Sequence, residues 1–419
     1  MTTPRPTIDL VWFAAGGGHR AAAQALQQSI VEQGRPWNVR PVNLVEVLDP
    51  KALFERTLGF APEDIYNKRL ATGFTIGLAQ ELKLLQAGIR LAHRALVQRL
   101  AAHWAATQPD LVVSLIPNFN RALHDALALA RPEAPFVTVM TDMADHPPNF
   151  WIEPDTAQHI VCGTGHAVAQ AMAAGVPEHR IHRVDGMVLR PAFHRDRAAA
   201  APGTALRGQL RQAAGLPAEG AVGLVLFGGT GSRAMRRIER ELHDLPLVLM
   251  CGRNAELAEA LRKQAALAAP GGGPRAARTI VGFTTDVAHW MRLADFFVGK
   301  PGPGSISEAV QCGLPAIVTC NAMTMPQERW NTRWVREQGV GVVLRRYADV
   351  RAAAHRIAAE LPQWRERVQA IRNDAVHQVP AVIAERLAAA QALRQAQAWE
   401  AQLRSLQRLP AEPVHEAVA

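Results

Sequence analysis

The chain has 419 residues, of which 48% are hydrophobic and 20% charged, enough for two or three globular domains with sizeable cores. The 46 Lys and Arg against 37 Asp and Glu leave a net charge of +9, which favours an anionic partner: a nucleotide, a membrane surface or a nucleic acid. The cysteines Cys162, Cys251, Cys312 and Cys320 form no C-x-x-C pair, which argues against a disulfide framework and a zinc site.

In chain order, "TIDLVWFAA" is a continuous apolar strand that starts about eight residues in, leaving no room for a signal peptide. Gly16, Gly17, Gly18 and His19 follow, then a helix from 19 to 33 that stops at Gly34. "RPWNVRPVNLVEVL" predicts a second strand. "PDLVVSLIP" and "APFVTVMTD" are strands of the buried parallel type, and "HIVCGT" and "IHRVDGMVL" follow with a helix between them. The small residues at 197–205 read as a linker. A second alternating series then runs through "AVGLVLFGG", "PLVLMCG", "TIVGF", "DFFVGK" and "PAIVTC", and from about 351 the pattern is helical. Such alternation predicts an α/β protein with two doubly wound parallel-sheet domains facing a cleft, with ligands at the carboxyl ends of the strands. The domain limits read as 1–200, 205–375 and a C-terminal helix and tail at 376–419 that packs back on the first domain. No apolar run approaches the ~18 residues of a membrane span.

Glycine turns carry most of the chemistry. Gly229-x-Gly231-x-x-Ala234 fits a loose dinucleotide fingerprint. The next strand, however, ends in Gly252, Arg253 and Asn254, not in the acidic residue that holds an NAD ribose. An NADP oxidoreductase stays open on that criterion. In "VGKPGPGSISEAV" a strand runs into Lys300, then Pro303, Gly304 and Ser305 open a helix whose amides and dipole suit a phosphate. Glu308, one turn in, suits two ribose hydroxyls. The competing structural reading makes Ser305 an N-cap and Glu308 part of a capping turn. Gln327, Glu328 and Asn331 cluster after the next strand and suit the hydroxyls of a sugar; otherwise they are a polar helix start after Pro326.

These segments, in order, carry a resemblance. "GGGHRAAAQAL", Tyr66-Asn67, "VMTD", "CGRN", "VGF", "KPGPGSISEAVQCGLP" and the Gln-Glu…Asn group resemble the monogalactosyldiacylglycerol synthase family over roughly residues 8–345. The pattern departs at Pro301, where the family prefers alanine. The resemblance implies a GT-B fold and transfer of a hexose, galactose or glucose, from a UDP-sugar to diacylglycerol. It places Gly229, Thr230 and Pro303–Ser305 at the phosphates, Arg253 near the nucleotide, Gly282 and Phe283 around the base, Glu308 on the ribose, and Gln327 and Glu328 on the hexose.

Transfer by inversion needs a general base on the acceptor hydroxyl, and His19 on the glycine turn is the candidate. Gly17 and Gly18 let the acceptor approach the backbone. No D-x-D motif occurs, so no metal or other cofactor is expected, and helix-end amides with Arg253 would neutralise the leaving diphosphate. Asp142, His146 and Trp151 share one loop and are candidate acceptor contacts, with Trp151 suited to a lipid interface. In 66–104, Lys68, Arg69, Lys83, Arg90, Arg94 and Arg99 accompany leucines at helical spacing and predict a basic amphipathic helix for an anionic membrane surface. The alternative is a helix that buries its leucines. The expectation is a cytoplasmic enzyme bound peripherally to the inner membrane face, with no nucleic-acid partner, since no binding motif supports one. A polyprenol-linked or glycan acceptor is the second enzymatic reading, and a sugar-nucleotide binder without turnover a non-enzymatic one.

Overall fold

The computed structural model of the chain describes residues 5–14, 17–49, 78–195, 203–269 and 272–407. Linker residues 197–202 and the segment with Tyr66, Asn67, Lys68 and Arg69 lie outside them.

Two six-stranded, all-parallel sheets form the molecule. The first is ordered β2-β1-β3-β4-β5-β6 and the second β12-β11-β10-β7-β8-β9. In the first, β1 is Thr7–Trp12, β2 Asn38–Asn43, β3 Leu111–Ser114, β4 Phe136–Val139, β5 His159–Cys162 and β6 Ile181–Arg183. In the second, β7 is Gly223–Leu226, β8 Leu247–Met250, β9 Arg278–Val281, β10 Phe296–Gly299, β11 Ala316–Thr319 and β12 Gly341–Leu344.

The central strands are largely apolar on both faces because both faces are covered. Ile8, Leu10, Leu111 and Val113 face the helix Gly18–Glu32 and the C-terminal helix. Val11, Val112 and Phe136 point the other way, towards the helices His93–Thr107 and Asn120–Ala130. The second sheet repeats this with Leu224 and Leu226 on one face and Val225 on the other. The helix Ala375–Gln407 returns to the first domain, where Val376, Val379, Ile383 and Leu387 join its core and Ser29 Oγ donates to the Val376 carbonyl at 2.7 Å.

Each sheet reverses its winding once, between β1 and β3 in the first and between β7 and β10 in the second. The loops leaving these pairs diverge and open a crevice. Both crevices open on one shared cavity.

Two local expectations change. The end of the second predicted strand, "LVEVL", is a short helix, Leu44–Leu48, started by the Asn43 side chain accepting from the Val45 amide at 3.1 Å. The amphipathic segment is two helices, Leu78–Leu91 and His93–Thr107, broken at Ala92. The second buries Leu100 and Trp104, whereas the first leaves Leu84 (71%) and Leu91 (89%) in solvent.

Candidate active site

A cavity of about 970 Å³ lies between the sheets. His19, Gly18, Thr141 and Asp142 line it from the first domain; Gly228, Lys300, Pro303, Gly304, Ser305, Gln327 and Glu328 line it from the second.

His19 is the second residue of its helix, entered through Gly17 at φ 79, a left-handed conformation that suits glycine. That turn folds His19 across the switch point, and its Nδ1 sits 2.9 Å from the Leu115 carbonyl at the end of β3. Thr141 Oγ1, after β4, lies 3.0 Å from the same nitrogen. The ring stacks on Phe13 with centroids 4.8 Å apart. It is half-buried and bonded, not the solvated turn histidine that a tight turn alone would give. Burial pushes its pKa from 6.5 down to about 4, against the pull of the Leu115 carbonyl. The imidazole is therefore neutral at pH 7. With Nδ1–H donating to that carbonyl, Nε2 carries the free lone pair.

Asp142 lies beside it, its carboxyl pushed up to about 7 chiefly by burial, with Trp151 opposing and Glu328 and Lys300 acting from across the cleft. Trp151 Nε1 donates to Asp142 Oδ2 at 3.0 Å. Here the expectation of a lipid-facing tryptophan is corrected: Trp151 has no exposed surface. The loop is drawn inward because the buried Asp145 accepts backbone N–H bonds from Asn149, Phe150 and Trp151. Trp151 instead backs the site, its ring centroid 6.0 Å from that of His19. His146, in the same loop, is exposed and outside the cavity lining, near Arg329.

In the second domain the helix Pro303–Gln311 is capped by Gly302, with no side-chain cap bond. Ser305 is thus inside the first turn, and the capping alternative falls. The first-turn amides and the Ser305 hydroxyl border the cavity, an arrangement that receives anions. Lys300 Nζ meets Glu328 Oε1 at 2.9 Å. Glu328 is 4% exposed. Asn331 Nδ2 donates to the Pro301 carbonyl at 2.8 Å, tying the helix Pro326–Glu337 to the glycine loop. Lys300 is the charged group to which sequence reasoning assigned no role. Its place at the end of β10, just before Pro-Gly-Pro-Gly, was the available signal.

The remaining donor-side candidates lie outside the cavity lining. Gly229, Thr230 and Arg253 share a rim: the Arg253 amide donates to the Gly229 carbonyl at 2.8 Å, and Asn254 Nδ2 to the Thr230 carbonyl at 3.2 Å. Gly252, at φ 59, permits that approach, because a Cβ there would strike the Gly229 backbone. The Arg253 guanidinium lies 4.3 Å from the centroid of the Phe283 ring, which is 56% exposed; Gly282 precedes it. Glu308 is half-buried, its carboxyl pushed up to about 7 by burial against the nearby Arg190. Among the described residues, His194, Asp374 and His377 place potential metal ligands within 4.8 Å of one another, but they lie outside the cavity lining. No helix of the described residues is long and apolar enough to cross a membrane.

No family model matches the chain. A probable monogalactosyldiacylglycerol synthase 2, chloroplastic, of Oryza sativa subsp. japonica is 28% identical over 385 residues, covering 85% of this chain and 74% of that protein. Among solved structures, a UDP-glucosyltransferase from Polygonum tinctorium superposes with a TM-score of 0.55 at 13% identity, covering 92% of this chain and 99% of that one. MurG of Acinetobacter baumannii superposes with a TM-score of 0.54 at 13% identity, covering 91% and 100%. Together these likenesses make the chain a glycosyltransferase of the GT-B fold, similar over most of its length to the monogalactosyldiacylglycerol synthases.

Proposed function

We propose that the enzyme transfers a hexose from a UDP-sugar to the free hydroxyl of diacylglycerol, with inversion at the anomeric carbon and without a metal. The observation that carries this is the position of His19. A neutral imidazole, held by the Leu115 carbonyl, borders a cavity with a phosphate-type helix start on one side and apolar walls on the other.

In the proposed step, the acceptor hydroxyl loses its proton to His19 Nε2 as its oxygen attacks the anomeric carbon. The bond from that carbon to the diphosphate oxygen breaks, and its electron pair leaves with UDP. The backbone N–H groups of Gly304 and Ser305, the Ser305 hydroxyl and Arg253 receive the developing charge. Glu308 takes the ribose, Arg253 and Phe283 take the base, and Gln327 and Glu328 take the hexose, with Lys300 fixing the Glu328 carboxylate. Asp142 and Thr141 hold the acceptor side.

We also propose that the enzyme works as a peripheral protein at an anionic cytoplasmic membrane face. Leu84 and Leu91 stand in solvent on the Leu78–Leu91 helix with exposed Lys83 and Arg90, and exposed Arg94 follows in the first turn of the His93–Thr107 helix. Apolar and cationic groups together on one exposed helix favour an anionic bilayer.

The test is a donor screen: the full chain, liposomes containing diacylglycerol, and each UDP-hexose in turn, with and without EDTA. The expected result is one favoured UDP-hexose, a glycolipid of opposite anomeric configuration by NMR, and no effect of EDTA. Transfer only to a polyprenol-linked acceptor, or retention of configuration, would overturn the reading.

A further inference from the structure

We infer that the cavity wall formed by the Leu78–Leu91 helix is an acyl-chain channel, and that Gly88 sets how long a chain it admits. This rests on the diacylglycerol reading above and specifies where that lipid lies. The cavity continues from His19 into the first domain between three apolar elements: Leu44 and Leu48 after β2, Leu85 and Ile89 on the exposed helix, and Leu96 and Phe119 beneath. Arg99, also on this wall, already donates to the Leu48 carbonyl at 2.5 Å. Such a wall offers an acceptor apolar contact and few hydrogen bonds.

Glu81, Leu85 and Gly88 on the helix, and Ala92 just past its end, follow at spacings of four, three and four, so one stripe faces the cavity, and all four residues line it. Its centre is the smallest residue. A glycine inside a helix costs about 1 kcal/mol relative to alanine. Neither backbone nor packing demands it here. Gly88 has no positive φ, and among the described residues nothing lies within 4 Å of a Cβ built on it. What a side chain at Gly88 would fill is cavity space. The occupant that fits is an acyl chain of a glyceride: with its hydroxyl at His19, the same cavity is lined, among the described residues, by apolar Leu85, Ile89 and Leu96 beside Gly88 and Ala92.

The test substitutes Gly88→Leu, with Ala87→Leu as the control on the exposed part of the same helix, outside the cavity lining. Acceptors are dioctanoyl- and dioleoylglycerol presented in detergent micelles, so that vesicle docking plays no part. The ratio of kcat/KM for the long acceptor over the short one should fall at least tenfold in Gly88→Leu and stay unchanged in Ala87→Leu. Melting temperature should hold or rise, since leucine is the better helix former. An equal loss on both acceptors, or no loss on either, overturns the inference. A second measurement needs no turnover: calorimetric titration of the full chain with monooleoylglycerol. Binding by the wild type and Ala87→Leu, weakened at least tenfold in Gly88→Leu, supports the channel even if no glyceride is ever glycosylated. In that case only the proposed reaction fails. Absence of binding by the wild type overturns the channel itself.

Discussion

The two sheets have the same strand count, the same parallel winding and the same kind of switch point, yet their crevices hold opposite chemistry. At the first, between β1 and β3, a neutral histidine is held by a backbone carbonyl above apolar walls. At the second, between β7 and β10, helix-start amides, a hydroxyl and a Lys300–Glu328 pair line the same cavity. One fold thus supplies an apolar half, which suits the proposed lipid acceptor, and a polar half, which suits the proposed nucleotide-sugar donor. The difference resides in a few loop residues at equivalent places, as expected when function is grafted on a common scaffold.

Removing the proposed base should break the first half alone. His19→Ala is expected to lower turnover by about 10²–10⁴-fold. UDP affinity, measured by calorimetry on the full chain, should stay within a few-fold, because the base acts on the acceptor proton and not on the bound nucleotide. Retention of more than about a tenth of wild-type turnover would take His19 out of that role.

Recruitment comes next in size. Each basic residue near anionic lipid contributes about 1 kcal/mol. Replacing Lys83, Arg90 and Arg94 with glutamine should therefore weaken vesicle binding by roughly 100-fold. Activity on a short-chain soluble glyceride should survive. The wild-type protein should also leave the vesicles as salt rises, since screening shortens the reach of surface charge. Sedimentation unchanged in the triple variant would return this helix to plain scaffold.

The second half is probed by Glu308→Ala, which should weaken UDP by roughly 10-fold or more, the worth of a charged hydrogen bond. Turnover at saturating donor should change far less. Equal UDP affinity would remove Glu308 from the ribose.

The smallest effect sharpens the contrast through pH. Asp142 has its carboxyl raised from 3.8 to about 7 in the folded chain. A raised acid contributes stability that is complete below the unfolded value and is lost as pH climbs through the folded one. Asp142→Asn should therefore raise the melting temperature at pH 8, by about 3 °C per kcal/mol recovered. The gain should shrink through the window from about 7 to about 4 and vanish below it. A gain independent of pH would show that the carboxyl is not the cause.

Much of this was readable before any coordinates, because it is local. Strands of contiguous apolar residues, most of them followed by a turn and a helix, specify βα units whose winding leaves ligands at the strand ends. Gly17 and His19, and the run from Lys300 to Glu308, sit within a few residues of such ends, so their proximity to a crevice follows from chain order. Other features needed the fold. Trp151 looks like an interface anchor in a loop sequence; it is buried because Asp145, six residues earlier, turns the loop inward and Asp142 accepts its indole N–H. Ser305 reads as a cap until Gly302 takes that position. The leucines of 78–100 have helical spacing throughout, but periodicity does not say which of them a neighbour covers. Packing decides that, burying Leu100 while leaving Leu84 and Leu91 in water. The sequence by itself determined the elements, their winding and the residues at the strand ends, since these depend on neighbours along the chain. Only the tertiary structure decided the neutral state of His19, the pairing of Lys300 with Glu328 and the open space at Gly88. Burial and partners arrive from distant segments, and those set pKa, charge pairing and cavity shape.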